Sequence, residues 1–100
     1  MEQPLNNIQI ELNDEIAQGI YSNLAIIAHS SSEFVVDFVR VVPGTPKAKV
    51  HSRIIVTPEH AKRLMLALAD NVKKYESQNG EIKLIGMGFV PPVIGPIGEA

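Results

Sequence analysis

Apolar and polar residues alternate in three different ways along this chain, and each way predicts a different element. Ile8-Gln9-Ile10-Glu11-Leu12 alternates strictly, which on a pleated strand puts Ile8, Ile10 and Leu12 on one face and predicts a short first strand. Asn13-Asp14-Glu15 offers turn and N-cap chemistry, and Ile16-Ala17-Gln18-Gly19 suffices for about one helical turn ended by glycine. From Ile20 to His29 both rows of the alternation carry apolar groups. Ile20, Leu24, Ile26 and Ala28 fall on one side, and Tyr21, Ala25, Ile27 and His29 on the other. Ser30-Ser31-Ser32 interrupts the run with hydroxyls that favour turns, and Glu33 to Val42 resumes it, so the simplest connection is a hairpin.

In Glu33 to Val42, Phe34, Val36, Phe38 and Val42 line one face while Val35, Val39 and Val41 line the other around Asp37. So many β-branched and aromatic residues mark a central strand covered on both sides. Pro43-Gly44-Thr45-Pro46 ends it, because proline withdraws a ladder donor and glycine permits a tight reversal. Lys47 to Val56 then alternates cleanly, with Ala48, Val50, Ser52, Ile54 and Val56 opposing Lys47, Lys49, His51, Arg53 and Ile55.

A different period begins at Thr57-Pro58-Glu59, where a hydroxyl N-cap precedes proline at the first helical position and an acid near the positive end of the helix dipole. Ala61, Leu64, Met65, Leu68, Val72 and Tyr75 follow in one narrow stripe, predicting a helix from Pro58 to about Ser77. Glu59 with Arg63, and Asp70 with Lys74, are acid-before-base pairs one turn apart on the other side, and Leu66 falls among those charges. Glu81 to Ile85 reads as another short strand. The remainder, Gly86-Met87-Gly88-Phe89-Val90-Pro91-Pro92-Val93-Ile94-Gly95-Pro96, is apolar yet too rich in proline and glycine for either regular structure. It reads as an extended arm, residues 81–100, lying against this chain or a neighbour and appended to a single domain of residues 1–80.

These elements predict an α+β fold: an antiparallel sheet of about four strands with one long helix packed on one face. Leu64, Met65, Leu68 and Val72 are expected to cover the face of Phe34, Val36 and Phe38. One helix cannot cover two faces. Ile27, Val35, Val39 and Val41 therefore remain for a second copy in a homodimer, for another protein or for the arm, and with Leu66 and Phe89 they are the candidate interface residues.

Composition narrows the function classes. A net charge of −2 gives no global pull toward nucleic acid or an anionic membrane, and no stretch is apolar enough to span a bilayer. The chain has no cysteine, which excludes disulfides, thiol catalysis and thiolate-bound zinc. The opening Met1-Glu2-Gln3-Pro4-Leu5 lacks the basic and apolar regions of a secretory signal, so the cytoplasm is the expected location.

Several residues invite a chemical reading, and each has a plainer one. Lys47, Lys49 and Arg53 with Arg40 from the preceding strand form a candidate nucleic-acid contact, with Tyr21 as a stacking residue; the plainer reading is a solvated strand face. His29, His51 and His60 match no metal-ligand spacing, and Glu33 and Asp37 lie about 13 Å apart on a strand, too far for a carboxylate pair acting on one bond. His29, Ser30–Ser32 and Glu33 are better explained as a turn than as a hydrolase triad, and Gly86 to Gly88 lacks the rest of a phosphate-binding loop. No catalytic residue, metal ligand or cofactor site is assigned, and the chain is not expected to be an enzyme.

The motif Ser32-Glu33-Phe34-Val35-Val36-Asp37-Phe38, followed by Thr57-Pro58-Glu59-His60-Ala61-Lys62 and later by Asn71 to Tyr75, resembles domain-of-unknown-function family 3467, a set of small bacterial proteins. The likeness covers about residues 8 to 78. It implies no established activity and supplies a name rather than a mechanism. At the level of topology, strands followed by a packing helix also resemble single-stranded nucleic-acid-binding folds of the Whirly type and, more loosely, export chaperones of the SecB type. The function expected is that of a non-enzymatic binding or adaptor protein using its sheet surface and arm on an unidentified protein partner. Single-stranded nucleic-acid binding through the basic row is the alternative.

Overall fold

Phe34–Arg40, the segment most heavily marked as a central strand, is the middle of the sheet. The computed structural model describes residues 7–84. A single helical turn, α1 (Asp14–Ala17), precedes three strands, β1 (Leu24–His29), β2 (Phe34–Arg40) and β3 (Lys49–Val56), and a long helix, α2 (Pro58–Asn79), closes the order. The sheet is an antiparallel meander, β1-β2-β3.

Local chemistry sets the boundaries. Asn13 caps α1 by accepting a hydrogen bond from the Ile16 amide at 2.8 Å. Ser30 closes the β1–β2 hairpin, its amide donating to the Glu33 carbonyl at 2.9 Å and its hydroxyl accepting from the Ser32 amide at 3.2 Å. After β2, Val42–Thr45 makes a turn with Gly44 at φ 88°, and the Thr45 amide donates to the Val42 carbonyl at 3.2 Å. Pro43 suits the second position of such a turn and glycine the third, where φ is positive.

Asn23 does more than start a strand. Its side-chain amide accepts from the Val41 amide at 2.8 Å and donates to the Val41 carbonyl at 3.0 Å, standing in for a backbone partner and extending the β1–β2 ladder by one rung. The Ser22 hydroxyl and the Asn23 amide both donate to the Val39 carbonyl, at 3.0 and 3.1 Å. β1 is thereby clamped where the core lies: Leu24 and Val39, cross-strand partners, are 9% and 3% exposed and are the buried hydrophobic residues among those described.

α2 begins where expected and runs two residues further than expected. Thr57 accepts from the His60 amide at 3.1 Å, Pro58 occupies the first turn, and the Glu59–Arg63 and Asp70–Lys74 pairs both form. Gly80 ends the helix at φ 90°, its amide bonded to the Glu76 carbonyl at 2.9 Å. No helix of the described residues is long and apolar enough to cross a membrane.

Three expectations need correction. Ile8 to Leu12 is not a strand: these residues are irregular and exposed, for alternation without a partner strand supplies no ladder. Residues 81–84 are irregular too, and the rest of the expected strand and the arm, including Phe89, lie outside the described residues. Among the described residues the sheet accordingly has three strands rather than about four. Most consequentially, α2 does not cover the Phe34 face: it has no buried residue, and the large residues of its stripe, Leu64 to Tyr75, stay between 37% exposed at Val72 and 61% at Leu68.

Candidate functional site

The register assigns side chains to the two faces of the sheet. Ile27 pairs with Val36, Val36 with Ile54, Phe38 with Ser52, and Phe34 with both His29 and Val56. Directly opposed residues share a face, so one face carries Ile27, Phe34, Val36, Phe38, Ile54 and Val56. It bears no charge along these rungs, and the His29 ring stacks on Phe34 at 5.2 Å. Ile27, Phe38 and Ile54 remain 52%, 36% and 45% exposed.

The opposite face carries Leu24, Ile26, Ala28, Val35, Asp37 and Val39, joined by Val50, Arg53 and Ile55 from β3. It holds the core pair. In its middle Arg53 donates to Asp37 through both Nε and Nη2, at 2.7 and 2.9 Å, and the Asp37 side chain is 14% exposed. The Arg53 hydrogen bonds, aided by its charge, hold the Asp37 carboxyl below its ordinary value of 3.8 against the opposing pull of partial burial. A depressed carboxyl stabilises the fold fully above the ordinary value, and that contribution disappears as pH falls through the lower folded-state value. Urea unfolding across an acid series is therefore expected to show midpoints falling below pH 3.8, with Asp37→Asn losing less than the parent over the same window. Equal slopes for the two chains would show the pair to be energetically silent.

The candidate residues do not all gather as expected. Ile27 sits on the Phe34 face and not with Val35 and Val39, because β1 carries apolar groups in both rows and its pattern could not choose a register. Val39 is buried within the chain, Val35 and Val41 are half-buried, and Leu66 is exposed on the charged side of α2. The basic residues are divided by a bulge. Phe38 pairs with Ser52 but Val39 with Val50, leaving His51 as an extra residue and moving Lys49 to the opposite face from Arg53. Lys47 precedes β3. Arg40 and Lys49 are cross-strand partners, and the Arg40 guanidinium lies 5.8 Å from the centre of the Tyr21 ring.

Sequence reasoning missed the Asn23–Val41 rung and the bulge, neither of which has a periodic signature. Among the described residues no three His, Asp or Glu side chains converge as metal ligands. A shallow, open depression lined by Asn71, Val72, Tyr75 and Ile82 lies at the end of α2, where the Ile82 amide donates to a Glu76 carboxylate oxygen at 3.0 Å. It is an apolar notch between the helix and the chain leaving it, with no convergent polar groups.

Comparisons with curated proteins and with solved structures yielded no match. Residues 1–84 match the family described as protein of unknown function (DUF3467), which takes in both the Phe34–Phe38 strand motif and the whole of α2. The chain belongs to that family.

Proposed function

We propose that this chain is a non-enzymatic cytoplasmic binding protein that works as a homodimer and offers its sheet surface, with the C-terminal arm, to a protein partner. The observation that carries the reading is the pair of uncovered apolar surfaces: the Ile27–Phe38–Ile54 face of the sheet and the Leu64–Tyr75 stripe of α2. Most helical stability in proteins comes from packing of an amphipathic face, and a contiguous apolar patch of this kind marks an interaction surface. Light scattering during size exclusion is expected to give twice the 10.9 kDa mass of the chain. A monomer at micromolar concentration would defeat the reading.

Arg40 and Lys49 favour a second reading. Like charges directly opposite one another on a sheet are unfavourable, and neither pairs with a carboxylate among the described residues, so an anionic ligand would relieve them. Tyr21 beside Arg40 would add a stacking surface for a base. Single-stranded oligonucleotide binding at low salt, weakened by Arg40→Ala or Lys49→Ala, would support this reading; no binding would end it.

A further inference from the structure

We infer that the two copies exchange helices, α2 of each protomer lying across the Ile27, Phe38 and Ile54 face of the other. This rests on the homodimer reading and specifies how that dimer is built.

The connection between sheet and helix carries the inference. β3 ends at Val56 and α2 begins at Pro58, so Thr57 is the whole link. Strand-to-helix connections in which the helix folds back over its own sheet commonly use two to six residues. Thr57 has no freedom to make up the difference. Pro58 disfavours the helical region for the residue before it, Thr57 is extended at φ −71° and ψ 159°, and its side chain and carbonyl are both engaged in starting α2, the carbonyl accepting from the Ala61 amide at 2.9 Å. The helix is thus sent away from the sheet that precedes it. Short, constrained hinges are the ones that exchange an element between copies.

The surfaces match in size and character. The stripe from Leu64 to Tyr75 is about 17 Å long at helical rise, close to the roughly 20 Å of a six-residue strand. Ile27, Phe38 and Ile54 with Leu64, Met65, Leu68, Val72 and Tyr75 are between 36% and 61% exposed. At about 200 Å² for each large side chain they leave on the order of 800 Å² of apolar surface per chain, what one partner gives to a standard interface. In a twofold dimer each chain supplies one helix and one face, so each helix meets one face and each face one helix. The Glu59–Arg63 and Asp70–Lys74 pairs sit on the other side of the helix and stay in water.

The absence of native cysteine permits a direct test. A tagged chain carrying Ile27→Cys and an untagged chain carrying Leu68→Cys are unfolded, mixed, refolded and oxidised. A disulfide-linked species containing one tagged and one untagged chain is expected as the main product. Failure of that species to form, in a mixture that light scattering shows to be dimeric, overturns the exchange and leaves the homodimer reading standing, whereas a monomeric mixture and a monomeric parent chain defeat both. An independent variant places eight Gly/Ser residues between Val56 and Thr57, which keeps the Thr57 cap with the helix and is enough to let α2 return to its own sheet. It is expected to shift the protein toward monomer by at least tenfold in dissociation constant, with circular dichroism unchanged. A folded variant as dimeric as the parent counts against the exchange; if the insertion unfolds the chain, the crosslink decides.

Discussion

Val39→Asp is expected to abolish cooperative unfolding, leaving a chain without a urea or thermal transition by circular dichroism. Val39 is 3% exposed near the C-terminal end of the middle strand, opposite both Leu24 and Val50. Its carbonyl also receives the Ser22 hydroxyl and the Asn23 amide. A carboxylate there has no cation in register, since Arg53 is committed to Asp37. Burying an unpaired charge costs several kcal/mol, and a chain of this size has roughly 5–15 kcal/mol of stability in all. Val42→Asp, placed where the side chain is 44% exposed, is expected to keep its transition. A native-like melt for Val39→Asp would mean that the buried Leu24–Val39 pair admits water.

The second large effect concerns two leucines of nearly equal exposure. Leu66 is 57% and Leu68 61% exposed, yet they lie about 200° apart around the helix. Leu68→Glu puts a charge into the apolar stripe; Leu66→Glu adds one to a side that already carries charges. Losing the burial of Leu68 on association is worth about 1–2 kcal/mol, and twice that in a symmetric dimer, so Leu68→Glu should raise the dissociation constant by one to three orders of magnitude. Leu66→Glu should leave the mass unchanged. Equal behaviour of the two variants in sedimentation equilibrium would show that the stripe is not the contact between copies.

How far these surfaces could be read from sequence differed by element. Thr57-Pro58-Glu59 gave the start of α2 to the residue, because an N-cap and a proline act through local sterics and hydrogen bonds that need no distant partner. The Ser30–Ser32 turn and the Pro43-Gly44 reversal were readable for the same reason. Ile8 to Leu12 misled, since a period of two is also what an irregular segment shows by chance over five residues. The placement of Ile27 needed the register, and a strand that is apolar in both rows does not encode one. Lys49 and Arg53 looked like neighbours in a basic row until a single extra residue, His51, reversed the alternation between them. The largest difference lay between a helix that needs a cover and a helix that covers its own sheet. Periodicity reports the stripe; only the length and stiffness of the Thr57 link bear on whose sheet it meets.

The same link has a consequence in time. A meander of adjacent strands forms from local hairpins, which close in about 1–10 μs each, whereas association of two chains takes milliseconds to minutes and slows on dilution. In refolding the sheet can therefore form first and stand with its Ile27 face bare until a helix reaches it. Under the proposed exchange that helix comes from another chain, so the slow phase of refolding should lengthen as the protein is diluted.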